Sequence, residues 1–182
     1  MSPELKVQVA VRRLPLSHAS AKALRTAASY DHVVFTSKNA RKFFSQELKA
    51  RRIAAPAPAR IIQVGPRADL LKFNFAGKRV LFPRSAIAPH DIVRRLRAKG
   101  VVVRVVPLYT THGVPLARAQ KNALARGLIR QIYFASPSGV AGLLGQLRGR
   151  SRAAVLALPA RCIGKTTAQA ARSTGFKRVF IR

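Results

Sequence analysis

Apolar and polar positions change over along this chain in short blocks, and successive blocks favour different periods. Residues 7–11, 32–36, 60–64, 78–82, 101–106, 129–135 and 178–181 are short runs rich in Val, Ile and Phe, the pattern of strands. Between them, residues 18–28, 39–52, 91–99, 116–126 and 166–173 mix Ala and Leu with Lys and Arg, the pattern of helices. The punctuation agrees with this division. Gly65 and Pro83 close two strands, and Gly100 and Gly127 follow two helices, where a terminal glycine is favoured. Ser136-Pro137 opens a further helix, with Ser as N-cap and Pro at the first helical position. Residues 101–106, VVVRVV, are a nearly unbroken β-branched run and predict a strand buried on both faces. Strand and helix in alternation predict a parallel α/β fold.

The pattern also repeats. Phe35-Thr36-Ser37 before one helix parallels Phe134-Ala135-Ser136 before another, 99 residues on. Ile62-Gln63-Val64-Gly65 parallels Arg161-Cys162-Ile163-Gly164 at the same spacing of 99. VAVRRLPL at residues 9–16 shares five of eight positions with VVVRVVPL at 101–108, and each precedes one copy of the repeat. The expectation is two similar small parallel-sheet α/β lobes. One is contiguous, residues 17–103; the other joins 1–12 to 113–182. Segments 9–16 and 101–112 would form a two-stranded connector. An inter-lobe cleft would then be lined by loops and helix N-termini, where α/β proteins bind ligands.

Composition changes this picture in one respect. Apolar residues make up 48% of the chain, enough for a packed core, so wholesale disorder is excluded. Lys and Arg number 35 against 5 Asp and Glu, a formal charge of +30. Such a chain attracts polyanions non-specifically, and either a polyanionic partner or drift of basic residues over the solvated faces accounts for it. Aromatic residues are only 7%, with no Trp, so stacking platforms for nucleic acid are scarce on this evidence. The five acids are scattered and the four histidines lack ligand spacing, which gives no metal site and no carboxylate pair. Cys162 is alone in an apolar stretch and reads as a buried, inert thiol. Residues 1–5 are too short and polar for a signal segment, and no apolar run is long enough to span a bilayer. A cytoplasmic monomer without a membrane partner is expected.

Small hydroxyl residues recur where strands run into helices: Thr36-Ser37, Arg84-Ser85, Ser136-Pro137-Ser138-Gly139 and Gly164-Lys165-Thr166-Thr167. A helix N-terminus carries unpaired N–H groups and partial positive charge, and hydroxyls add donors. Each site alone is accounted for by ordinary N-capping. Four sites placed by the repeat around one cleft would suit a ligand with many anionic groups. Gly164-Lys165-Thr166 is not a P-loop, because Pro159 stands where that motif needs its first glycine. Tyr109 follows VVVRVVPL in the second connector segment and would sit on the cleft floor, where a phenol can donate a proton or a hydrogen bond to a leaving oxygen. The plain alternative is an amphipathic tyrosine capping a strand edge.

These residues reach a family. DHVVFTSKNA at residues 31–40, with Tyr30 before it, resembles the Y-D-x-x-x-F-T-S-x-N-A signature of uroporphyrinogen-III synthases. KRVLFPRSAIAPHD at 78–91, VPLYT at 106–110, YFASPSG at 133–139 and IGKTTA at 163–168 are similar to later signatures of that family and keep their order. In this resemblance the family's first strand and helix, and the helix after its last strand, have no counterpart, and the stretch 65–78 is short.

The resemblance implies a cofactor-free enzyme acting on hydroxymethylbilane, a linear tetrapyrrole bearing eight carboxylates. It would direct closure to uroporphyrinogen III with inversion of the last ring, in the route to heme, siroheme and cobalamin. It further implies Tyr109 as the catalytic donor. Thr36, Ser37, Arg84, Ser85, Ser136, Ser138, Gly139, Lys165, Thr166 and Thr167 would bind substrate, and substrate would be handed over by hydroxymethylbilane synthase. Two other readings stay open at this point: a basic, non-catalytic RNA-binding protein, and a degenerate synthase without turnover.

Overall fold

The computed structural model describes residues 4–65 and 69–182. They form two compact α/β units: one holds the described residues up to Val11 together with Thr111–Arg182, the other is Arg12–Thr110. The chain opens with β1 (Glu4–Val7), breaks at Gln8, and continues as β2 (Val9–Arg13). The single strand expected over 7–11 is therefore two strands.

In the unit Arg12–Thr110 follow α1 (His18–Arg25), β3 (His32–Phe35), α2 (Lys38–Ala50), β4 (Ile61–Gln63), β5 (Arg79–Ser85), α3 (Asp91–Ala98) and β6 (Val102–Gly113). Their sheet has the order β2-β6-β5-β3-β4, with β3, β4, β5 and β6 parallel. Ser17 and Ser37 cap α1 and α2, each hydroxyl accepting a backbone N–H three residues on. Gly100 ends α3 at φ +75°, a backbone conformation that side chains disfavour.

This sheet is covered on both faces. Val33, Phe35, Leu81, Val106 and Leu108 meet Leu24 of α1 and Phe44 and Leu48 of α2. Val34, Val80, Phe82 and Val103 meet Leu70, Phe75 and the α3 residues Val93 and Leu96. A parallel sheet buried on both sides explains the continuous apolar runs of β3 and β5. Asp31 fixes the entry of β3 by accepting the Arg79 N–H at 2.8 Å, and that bond holds its carboxyl below the usual range.

Three details differ from expectation here. β5 does not stop at Pro83 but runs to Ser85. Its ladder of paired residues with β3 ends at Leu81, whereas pairing with β6 continues past Pro83 to Ser85. β6 continues beyond the apolar run 101–106, and it is not buried on both faces: Val102 is 59% exposed. Its residues Val102–Tyr109 pair with β5. Bonds to the N-terminal segment start later, from Leu14 N–H to Leu108 O at 2.9 Å and from Val114 N–H to Gln8 O at 3.0 Å. Those two bonds run the segments in opposite directions, with the contact shifted past residues 101–107.

The other unit adds α4 (Arg118–Ala125), β7 (Gln131–Phe134), α5 (Pro137–Leu144), α6 (Gly149–Ala157), β8 (Ala160–Cys162), α7 (Lys165–Ser173) and β9 (Val179–Ile181). Its sheet is parallel throughout, in the order β1-β7-β8-β9. Leu5, Val7, Ile132, Phe134, Ala160 and Cys162 share one core with Val140, Leu143, Val155, Ala168 and Ala171 of the helices. The burial of β7 alternates, in contrast to β3. α6 has no counterpart among the expected helices, and it buries just Val155. Gly113 and Gly142 approach so closely that a Cβ on Gly113 would lie 2.5 Å from the Gly142 Cα.

Candidate functional site

Parallel strands deliver their C-terminal ends to one edge of a sheet, and the hydroxyl residues sit there in both units. In Arg12–Thr110, the ends of β3, β5 and β6 bring Thr36, Ser37, Arg84, Ser85 and Tyr109 around one cavity of about 480 Å³. Leu70, Phe82, Ile92 and Arg95 complete much of its wall. The irregularity that shapes it is a register shift between Arg84 and Ser85, which sets Arg84 opposite Pro107 and Ser85 opposite Tyr109. Such bulges re-aim side chains at the rims of sheets.

Tyr109 is 6% exposed and stacks on Phe43 at 5.4 Å between ring centroids. Its hydroxyl lies 2.9 Å from Ser37 Oγ, which also accepts the Ala40 N–H at 3.0 Å. The N-cap of α2 thereby positions the phenol. When Ser37 donates to the phenol oxygen, the phenol proton is left for a ligand. Arg84 is 5% exposed, and its guanidinium stands 5.1 Å from the Phe82 ring centre. One nitrogen, Nη2, donates to Pro89 O at 2.6 Å, while Nη1 and the neighbouring Ser85 Oγ have no hydrogen-bond partner. Burial lowers the Arg84 pKa, which is the sign of a cation short of solvation. Asp91 is the one carboxylate on this wall, and it already pairs with Arg94. The cavity therefore presents a desolvated cation and hydroxyl donors suited to a carboxylate.

The second set is arranged differently. Ser136 caps α5 by accepting the Gly139 N–H at 3.2 Å, and that same N–H also reaches Ser136 O at 3.1 Å. Gly139 is buried, with Val7 and Phe134 side chains at ordinary contact from its Cβ position. Ser138 is half-buried. At the next strand end, Gly164 caps α7 without a side-chain bond, so the first N–H groups of that helix are left to solvent-facing partners. Lys165 and Thr166 are exposed there, whereas Thr167 is only 3% exposed and belongs to the packing of α7.

Sequence reasoning missed the cavity's apolar wall and Arg95. Asp91 and Arg95 stand four residues apart on α3, a spacing that puts them on one helical face and was the available signal. Cys162 is fully buried, and burial pushes its thiol pKa up. Among the described residues no group of three metal-binding side chains occurs, and no helix is long and apolar enough to cross a membrane.

Comparison with known proteins adds the following. A family profile described as uroporphyrinogen-III synthase HemD matches residues 68–182. A protein of Ruminiclostridium josui named porphyrin biosynthesis protein HemD is 26% identical over 185 residues, which cover 86% of this chain. The chain spans about a third of that relative's length, 36%. Among solved structures, a mutant uroporphyrinogen III synthase of the extremely thermophilic bacterium Thermus thermophilus superposes with TM-score 0.64 at 18% identity, covering 95% of this chain and 80% of its own. The uroporphyrinogen-III synthetase of Helicobacter pylori gives 0.61 at 16% identity, with 95% and 83% covered. At such identities the structural likeness concerns the fold.

Proposed function

The chain belongs to the uroporphyrinogen-III synthase family, and on that premise we propose that it closes hydroxymethylbilane to uroporphyrinogen III as a cofactor-free hydro-lyase. The observation that carries this reading is the buried Arg84, with an unpaired Nη1 beside the unpaired Ser85 hydroxyl, on a cavity that also holds Ser37 and Tyr109. A polycarboxylate supplies what Arg84 lacks, a negative charge and a hydrogen-bond acceptor. Carboxylates of the substrate would engage this set. The +30 charge draws a polyanion in.

The reaction removes one water. Tyr109 donates to the terminal hydroxyl of the bilane, which departs as water while the adjacent pyrrole nitrogen supplies the electron pair, leaving an azafulvenium cation. The substituted carbon of the last pyrrole attacks it to give a spiro intermediate. That intermediate opens and recloses with the ring inverted, and loss of a proton restores aromaticity. Little is asked of side chains beyond the first step. Holding the chain bent for attack at the substituted carbon is an orientation effect. Action as a cytoplasmic monomer receiving substrate from hydroxymethylbilane synthase is part of the proposal.

The test is to incubate purified protein with freshly generated hydroxymethylbilane and measure the ratio of type III to type I product. Spontaneous closure gives type I. An excess of type III that rises with protein and falls in Arg84→Gln supports the reading. A ratio identical to the buffer control would mean that the chain keeps the fold without turnover.

A further inference from the structure

Parallel sheets are ordinarily covered on both faces, and among the described residues the buried cluster of the sheet β1-β7-β8-β9 lies on one. Its register aligns Lys6, Tyr133, Arg161 and Phe180, one from each strand, in a single row. Side chains alternate along strands, so this row lies on the face opposite Leu5, Ile132, Phe134, Ala160 and Cys162. Phe180 is 54% exposed, Lys6 is exposed, Tyr133 is half-buried, and the Arg161 side chain is 42% exposed. Neighbouring strands lie about 4.8 Å apart, so the two aromatic side chains stand roughly 10 Å apart with a guanidinium between them. By the same alternation, Arg182 follows Phe180 on this face. Glu4, at one corner, accepts from Gln131 at 3.0 Å and pairs with Arg161 at 3.7 Å.

We propose that this open sheet face binds single-stranded nucleic acid. Bases stack on Tyr133 and Phe180, and Lys6, Arg161 and Arg182 engage the phosphates. The activity is separate from ring closure and uses none of the residues assigned to it. The chemistry is that of a flat sheet displaying aromatic side chains among cations: π faces accept any unstacked base, and the cations neutralise the backbone. The chain's low aromatic content argued against this at first, but what matters is that two of its few rings share one exposed row. Charge complementarity selects the occupant. A second copy would set Lys6, Arg161 and Arg182 against like charges, which disfavours self-association through this face. A duplex keeps its bases stacked inside and cannot use the rings.

The test follows the anisotropy of a fluorescein-labelled 20-mer oligouridylate titrated with the full chain at physiological salt. Binding is expected. The double variant Tyr133→Leu/Phe180→Leu, which leaves charge unchanged, should weaken it by about tenfold or more. Lys42→Gln/Lys49→Gln, on the exposed side of α2, should lower affinity only through a shallower salt dependence. Tyr30 and Tyr109 are each 6% exposed, so oligouridylate should quench tyrosine emission chiefly through Tyr133. Circular dichroism checks folding, and Phe180→Leu alone, on the edge strand, serves if the double variant unfolds. Unchanged affinity in the aromatic variant overturns the proposal. So does equal affinity for a duplex, preferential binding to anionic vesicles, or a dimer in sedimentation that the aromatic variant converts to monomer.

Discussion

The strands β3 and β5 carry apolar side chains to both faces of their sheet, whereas β1, β7 and β8 carry them to one. Apart from β2, the strands of both sheets are parallel and run into hydroxyl-led helices, so the repeat in the sequence is real at the level of strand–helix units. The difference lies in what covers them. Two helical layers enclose the first sheet and squeeze Arg84 and Tyr109 into a desolvated cavity at its edge. One layer covers the second, and its matching strand ends leave Lys165 and Thr166 in contact with solvent. A shared supersecondary pattern therefore does not imply a shared electrostatic environment, because desolvation depends on the layers.

The largest effect that sharpens this contrast is on stability. Phe82 is 1% exposed on the face that α3 covers, and Phe82→Ala should cost about 3–5 kcal/mol from lost burial and the cavity left behind. Tyr133→Ala, on the open face, should cost no more than about 1 kcal/mol. Denaturant unfolding of both variants checks this. Comparable losses would mean that the face carrying Tyr133 is covered in solution. Next in size is Tyr109→Phe, which removes the donor while leaving the ring stacked on Phe43. It should lower type III formation roughly tenfold to a thousandfold, with the melting temperature nearly unchanged. Full activity in the folded variant removes Tyr109 from the mechanism; a fall in melting temperature alone would make it a strand-edge cap.

Glu47 extends the comparison to charge. Its carboxylate is 1% exposed under Arg13 and Arg51, whose side chains are 49% and 40% exposed. Stripping one partner from a buried pair is severe when it leaves an uncompensated charge inside. Here the stranded partners are the arginines, and water reaches both. Glu47→Ala should therefore cost only about 1–3 kcal/mol, read from the unfolding midpoint of Arg12–Thr110 in the full chain.

The parts of this architecture legible in the sequence were those set by local chemistry. Ser37 and Ser136 cap helices as their spacing indicates, and Gly100 ends α3. The clustering of Thr36, Ser37, Arg84, Ser85 and Tyr109 followed from strand ends and from family signatures. What stayed hidden is set by neighbours. VVVRVV reads as doubly buried, yet Val102 is exposed, because coverage depends on helices distant in sequence. Pro83 reads as a strand end, yet β5 continues, because its pairing with β6 runs on through Pro83 to Ser85. The register shift at Arg84 leaves no mark in composition. Gln8 breaks β1 from β2 without a proline or glycine to announce it.

The smallest predicted effect tests the covered face of the second sheet through its only thiol. Cys162 sits on β8 next to Arg161 in sequence, but on the opposite side of the sheet. Burial disfavours the thiolate and raises its pKa, with Arg172 pulling weakly the other way. The thiolate is the reactive form, so a disulfide reagent at mildly alkaline pH should leave the native chain unmodified and release one equivalent after unfolding. A cysteine introduced by Tyr133→Cys, on the open face, should react at the rate of an ordinary thiol. The linkage sign follows from the same shift. A folded-state pKa above the unfolded one gives stability that is complete below the ordinary thiol value and is lost as pH rises through the folded one. Wild type and Cys162→Ala should thus converge in stability with rising alkalinity, beyond the constant cost of the small cavity. Parallel curves, or rapid modification of native Cys162, would mean that the helical layer over β8 opens readily, and the contrast between the two sheets would then be one of degree.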